Sequence, residues 1–252
     1  MDLPGTVLLA VAGLAAGAVN AIAGGGSLIT FPALIAAGLA PIPANVTNSV
    51  AVSPGYIGSV VGSRADIPRE RVRALVPIAA LGGFAGCLLL LATPARAFEL
   101  VVPFLVLAAA AVLAFQDRLR RLVGHPRTMS PARNRIGLYA LVAAGGVYGG
   151  YFGAALGVML VAGLALLLDE RLARVNALKN VLSGVVGVVT VVAYAALGPV
   201  DWAGVAVIAP ATLLGGYAGA HLARHLPSAV LKATIVTAGT AVGLSLLVRA
   251  FS

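Results

Sequence analysis

Charge is scarce in this chain, and acidic charge scarcest of all. Asp, Glu, Lys and Arg make up 10% of its 252 residues, eight of them acidic against seventeen basic, whereas soluble domains carry about 25% charged residues. Cysteine is nearly absent. The single Cys87 excludes a disulfide within the chain, a thiolate metal cluster and any relay of a sulfur compound between several thiols. His125, His221 and His225 fall in or near loops without metal-ligand spacing, so no metal is expected. Asp66, Glu70, Asp117, Asp169 and Glu170 stand in loops, and Glu99 and Asp201 at segment ends, which leaves no carboxylate relay inside a membrane. No Walker loop follows a strand. The general base or metal that a membrane-embedded enzyme needs is missing, and the chain is read as neither an enzyme nor a cofactor protein.

What fills the space is apolar. Hydrophobic residues make up 60% of the chain and the mean hydropathy is +1.03, the composition of an integral membrane protein whose partner is the lipid bilayer. Apolar stretches at 71–93, 98–115, 174–197, 203–222 and 229–248 approach the ~20 residues that cross ~30 Å of hydrocarbon. The alternating strands of a β-barrel are absent. Thirty-one glycines suit helices that pack backbone to backbone in lipid. The first segment lacks a basic amino-terminal region and runs on into the fold, so it is not read as a removable signal.

The chain repeats itself. Pro77 to Gly86, PIAALGGFAG, returns 133 positions later as Pro210 to Gly219, PATLLGGYAG. At similar offsets Gly17 answers to Gly149, Asn48 to Asn180, Asp66 to Asp201 and Pro94 to Pro227. A period of half the chain is no short-repeat solenoid. It predicts a first membrane repeat over 1–116, a basic cytoplasmic linker over 117–135 and a second repeat over 136–252. The block's Gly82, Gly83, Gly86, Gly215, Gly216 and Gly219 are spaced for close helix packing and are assigned to the scaffold.

The net charge of +9 reads as a topology signal and not as a nucleic-acid footprint, because the arginines are confined to short loops. Arg64, Arg69, Arg71 and Arg73 form one basic loop, and Arg118, Arg120, Arg121, Arg127, Arg133 and Arg135 the loop between the halves. Arg171 with Arg174, and Arg224 with His225, mark two more. All are predicted cytoplasmic, while 41–44 and 198–201, without Lys or Arg, are predicted outside; Arg96 and Arg249 are single exceptions. These sides agree only if Gly24, Gly25 and Gly26 turn 3–23 and 27–40 into a hairpin, matched by 137–152 and 153–168 around Gly149, Gly150 and Gly153. Each half then has five segments, and an odd number inverts the second half. The predicted fold class is an all-α polytopic membrane protein of two inverted-topology repeats, each including a short or re-entrant hairpin.

Inverted repeats with short helices are transporter architecture, with the site near the midplane between the copies. Asn20 to Thr30, with Gly25, Gly26 and Ser27 at its centre, is the first candidate element. Glycine lets the backbone turn and approach a ligand, Ser27 is placed to cap the following helix, and the helix start attracts an anion. A hairpin packed on its glycines with no ligand explains the same residues. The second element runs from Ala44 to Ser49, with Asn45, Thr47 and Asn48, and is matched by Val175 to Asn180, with Asn176, Lys179 and Asn180. Amides in a membrane helix either bond neighbouring helices or line a polar cavity, and recurrence of Asn48 as Asn180 favours the cavity. Lys179 has two readings, snorkelling to the surface or attracting an anion. Tyr56, Tyr148, Tyr151 and Tyr194 read as interfacial belt residues.

The pattern from Gly13 to Leu34, GxxAGxxNxxAGGGSLITFPAL, followed by Ala44-Asn45-Val46-Thr47-Asn48 and a loosely repeated second half, resembles the TauE/SafE family of sulfite exporters, the TSUP permeases. The resemblance covers essentially the whole chain. It implies transport of small sulfur-containing or organic anions, such as sulfite, sulfonates or sulfoacetate, across the bacterial inner membrane. The second copy lacks GGGS and has Ala154, Ala155, Leu156 and Gly157 there, so a site built from both hairpins is asymmetric. The mechanism read from these features is alternating access by rocking of the halves about the crossing of the hairpins, with an anion channel as the alternative. The anion is expected to be held by Ser27, the backbone around Gly25 and Gly26, Asn45, Asn48, Asn176 and Asn180. Homo-oligomerisation is left open.

Overall fold

The fold is that of a computed structural model, which describes residues 3–22, 25–115, 118, 131–222 and 228–251. Gly24, Asp117, Arg120, Arg121, His125, Arg127, Arg224, His225 and Pro227, named above, lie outside the described residues. Among those described the chain is helical throughout: α1 (Leu3–Ile22), α2 (Ser27–Ala36), α3 (Pro41–Val52), α4 (Pro54–Gly62), α5 (Arg69–Ala92), α6 (Ala95–Ala114), α7 (Pro131–Tyr151), α8 (Leu156–Leu167), α9 (Leu172–Leu197), α10 (Trp202–Leu222) and α11 (Ser228–Phe251). Leu3–Asn20, Arg69–Ala92, Ala95–Ala114 and Ala173–Leu197 are long and apolar enough to cross a membrane. Large apolar side chains point outward, with Leu81 72% and Val248 68% exposed, as lipid-facing helices require. The protein is an all-α polytopic membrane protein.

Two short helices set it apart from a plain bundle. The ten residues of α2 and the twelve of α8 rise only about 15 and 18 Å, short of the ~30 Å hydrocarbon. Each is the second leg of a hairpin. Gly25 (φ 105°) opens the first turn, and Gly153 (φ 73°) and Ala155 (φ 58°) make the second; the left-handed angle costs Ala155 roughly 1 kcal/mol. Ser27 does not cap α2: the capping position is Gly26, with no side-chain bond. Gly26 itself adopts helical angles, so the helix winds back one residue and leaves Ser27 inside it. The turn is closed instead by Asn20, whose Oδ1 accepts from the Gly26 N–H at 2.8 Å.

The second turn is closed from its carbonyls, the groups a helix end leaves without partners. Tyr148 donates to the Ala154 carbonyl at 2.7 Å, Asn45 Nδ2 to the Tyr151 carbonyl at 2.8 Å, and Tyr194 to the Gly150 carbonyl. Tyr194 is fully buried, so it is no belt residue but a strut between α9 and the end of α7.

Glycine brings the two halves into backbone contact, α1 against α10 and α5 against α7. A Cβ on Gly17 would stand 2.7 Å from the Gly216 nitrogen, and one on Gly146 would stand 2.9 Å from the Ala79 carbonyl oxygen and 3.1 Å from the Gly83 nitrogen. Gly216 repeats Gly83 at the 133-residue offset, so by contact Gly17 stands where Gly146 does, one helical turn from the Gly149 that sequence matching selects. Gly145, Gly146, Gly149 and Gly150 offer several matches, and only packing chooses among them.

Ion pairs and caps show which loops share an end of the molecule. Arg71 reaches Glu170 at 3.4 Å, which brings the basic loop before α5 beside the loop before α9. The Asp201 N–H donates to Thr47 Oγ1 at 2.9 Å, which brings the start of α3 beside the loop before α10. Asp201 also caps α10, accepting from Gly204 N at 3.2 Å. The described part of the linker shows Arg118 over the Phe115 ring at 5.6 Å.

Gly17→Val and Gly86→Val should each lower stability by about 1–3 kcal/mol by forcing the paired backbones apart. Gly58→Val, where an added Cβ meets nothing within 4 Å, should leave the thermal unfolding midpoint of detergent-solubilised protein unchanged. In the same assay Tyr194→Phe should cost about 1–3 kcal/mol, because it strands the Gly150 carbonyl.

Candidate functional site

The two hairpins meet in the interior. Phe31 of α2 and Phe152 at the end of the second hairpin's first leg pack edge to face, ring centres 5.5 Å apart. Beside this contact is a cavity reached by Ser27 of the first hairpin and by Gly149, Gly153 and Leu156 of the second. Its other walls are Ser49, Ser53 and Tyr56 from α3–α4 and Ser183, Gly187 and Thr190 from α9. The cavity volume is about 20 Å³, counted at the centre of a water-sized sphere. That is room for about one water, in a pocket that is only partly enclosed.

The lining mixes hydroxyls with the apolar Val52, Phe152, Leu156 and Val186 and carries no fixed charge. Ser49 donates to the Asn45 carbonyl at 2.9 Å, Ser53 to the Ser49 carbonyl at 2.6 Å and Thr190 to the Gly187 carbonyl at 2.8 Å. Such bonds to carbonyls one turn back let hydroxyls sit in apolar helices and leave their second lone pairs free to face the cavity. Ser183 differs. It is 2% exposed, and its Oγ has no hydrogen-bond partner, an arrangement that costs ~1–3 kcal/mol. Asn45 Oδ1 is likewise buried without a partner.

Helix ends supply the field. α2 begins at Ser27 and α8 at Leu156, both on the cavity wall, and each positive end carries roughly half an elementary charge. Their amides are largely engaged: Leu28 N–H donates to Gly25 O and Ile29 N–H to Gly26 O, each at 2.9 Å, and Leu156 N–H to Gly153 O at 3.2 Å. The ends act on the cavity mainly through their dipoles. α3 and α4 meet at Ser53–Pro54, where a negative end and a positive end offset each other.

The amides that sequence selects stand above and below this cavity. Asn45, Ser49, Ser53, Tyr56, Ser59 and Ser63 recur every three or four residues along α3–α4 and beyond, one stripe on one face. Near the start of α3, Thr30 donates to Asn48 Oδ1, Asn45 holds the second hairpin, and Thr47 holds the loop before α10. At the far end Asn180 Nδ2 donates to the Ser59 carbonyl at 3.2 Å and to Ser63 Oγ at 3.0 Å. Of the sequence-selected residues, Ser27 alone lines the cavity, while Asn20, Gly25 and Gly26 build its turn. Asn176 is exposed and absent from the lining. Lys179 is half-buried and lies along α8, its Cδ 3.4 Å from where a Cβ on Gly157 would stand. No group of three or more His, Cys, Asp or Glu able to hold a metal occurs among the described residues.

Sequence reasoning passed over Ser53, Ser183 and Thr190, and carried Ser49 only as the last residue of the second candidate element. Their signal was a hydroxyl or glycine every three or four residues in otherwise apolar runs, as in Ser183, Gly187, Thr190 and Tyr194.

Comparison with known proteins follows the same outline. The family model "Sulfite exporter TauE/SafE" matches residues 9–246. "Probable membrane transporter protein YfcA" of Escherichia coli K12 is 28% identical over 251 residues, 96% of this chain and 88% of that protein. "Probable membrane transporter protein ORF9" of a Sinorhizobium species is 27% identical over 242 residues, 95% of this chain and 91% of the relative. No solved structure matches the chain. With a family match over nearly its whole length and a fold of apolar helices, the chain belongs to the TauE/SafE sulfite exporter family of membrane transporters.

Proposed function

We propose that this chain is a secondary transporter of small sulfur-containing or organic anions, of the sulfite, sulfonate or sulfoacetate type, and not an enzyme. Its place is the bacterial inner membrane, and it works by alternating access between two inverted repeats, 1–116 and 136–252, joined by the basic linker. The observation that carries this reading is the small, uncharged cavity where the two hairpins meet, with hydroxyls of α2, α3 and α9 on its walls and amide contacts of Asn48 and Asn180 near it. A polar site where the hairpins of two inverted repeats meet is what a carrier of this architecture requires.

In this reading the roles divide. Ser27 and the backbone around Gly25 and Gly26 face the anion, with Asn20 holding their turn. Asn45, Thr47 and Asn48 form the clasp at one end, and Asn180 forms the clasp at the other. Lys179, beside α8, raises the local concentration of anions near the second hairpin. Asn176, exposed on α9, has no part in the site. Binding without a buried counter-ion avoids the desolvation cost of an ion pair and lets the anion leave again.

Asn48→Leu and Asn180→Leu each remove one clasp while filling similar volume. Counterflow of sulfite or a short sulfonate in proteoliposomes should fall about ten-fold in either variant, the equivalent of one hydrogen bond, with the folded protein retained. Unchanged transport in both would remove the amides from the mechanism. In wild type, flux should saturate with substrate and show counterflow; an ohmic current without saturation would make the protein a channel.

A further inference from the structure

The cavity's charge balance speaks to what kind of anion it holds. Its polar walls are hydroxyls, a phenol and glycine backbone, with no Lys, Arg or His among the lining residues. Positive potential comes from the starts of α2 and α8, roughly half a charge each, so together they offset about one negative charge. The α3–α4 junction contributes little, because its two ends oppose. The cost of bringing an ion out of water rises with the square of its charge, so a dianion costs about four times as much as a monoanion of the same size. The protein supplies the same positive ends to both.

We infer that this cavity selects singly charged oxyanions over doubly charged ones, and that the Ser183 hydroxyl is a direct ligand to the bound anion. The inference rests on the anion-transport reading and adds the charge state and a residue to it. Ser183 is buried in the wall with its Oγ unpartnered, whereas Ser49, Ser53 and Thr190 already donate their protons to carbonyls. Ser183 therefore holds a proton ready to donate, and an anion oxygen satisfies it. The other hydroxyls join by rotating away from carbonyls that keep their helical N–H bonds. With room for about one water, the walls must part to admit the anion, and small single-headed anions demand the least movement.

The test compares methanesulfonate, a monoanion with three oxygens on one face, with sulfate, a dianion of similar size. Saturable uptake is measured with the full chain in proteoliposomes for wild type, Ser183→Ala and Ser183→Thr. Methanesulfonate should be taken up at least about ten-fold faster than sulfate at equal concentration. Ser183→Ala should raise the methanesulfonate KM about ten- to hundred-fold, the worth of a hydrogen bond to a charged group, with the unfolding midpoint held or raised because an unsatisfied hydroxyl is gone. Ser183→Thr, which keeps the hydroxyl, should restore most of the affinity. Sulfate uptake at the methanesulfonate rate would overturn the charge selectivity. An unchanged KM in Ser183→Ala would overturn the ligand role. Absence of uptake for every anion in wild type is a separate result and would overturn the transport reading itself.

Discussion

Backbone contact between helices of opposite halves is the constraint on which the rest of this structure depends. α1 can lie against α10, and α5 against α7, only where Cβ atoms are missing: at Gly17 and Gly215 on one side and at Gly82, Gly86, Gly146 and Gly150 on the other. Lipid gives little hydrophobic drive to bring helices together, so association relies on close packing of small residues. The first leg of each hairpin is thus gripped by the other half, and the two turns are carried into the interior, where Phe31 meets Phe152. A displaced leg would move a turn, and a displaced turn would move a cavity wall.

The cavity shows how polarity is kept in a membrane without charge. Almost every polar group near it is satisfied locally: serines by the carbonyl one turn back, Asn20 by the Gly26 N–H, and the end of α7 by Tyr148, Asn45 and Tyr194. Against that background the unpartnered atoms, Ser183 Oγ and Asn45 Oδ1, stand out. The proposed site has two helix starts beside it and no buried arginine, so it sets no ion pair against release of an anion. The two hairpins reach the cavity by different chemistry. One closes through an amide acceptor on an N–H, the other through phenol and amide donors on carbonyls, so the asymmetry read from the missing second GGGS has a physical form.

Several elements could be read before any coordinates. The hairpin around Gly25 and Gly26, its partner around Gly153, and the scaffold role of the PxxxLGGxAG block follow from glycine's freedom and from helix packing in lipid, which are local or pairwise effects. Other readings needed neighbours that are distant in sequence. Ser27 looked like a cap, but Gly26 takes helical angles and Asn20, from the preceding helix, supplies the bond. Tyr194 looked interfacial, but its hydroxyl meets a carbonyl 44 residues away. Gly17 matched Gly149 by letter, but contact pairs its place with Gly146. Asn176 stands one turn before Asn180 on the same face of α9, yet it is exposed near the start of the helix, whereas Asn180 is buried against Ser59 and Ser63.

Composition and repetition alone therefore determined the solvent, the helical class and the glycine-mediated contact of helices, since each depends on residue type and spacing along one chain. Tertiary structure alone decided which polar residues face one another. The asparagines chosen for the site stand at the ends of the cavity, and serines of two different helices fill its walls. Hydroxyls satisfied within a helix and hydroxyls turned toward a cavity look the same in sequence, and only the packing of α3, α4 and α9 around the two turns separates Ser183 from the rest.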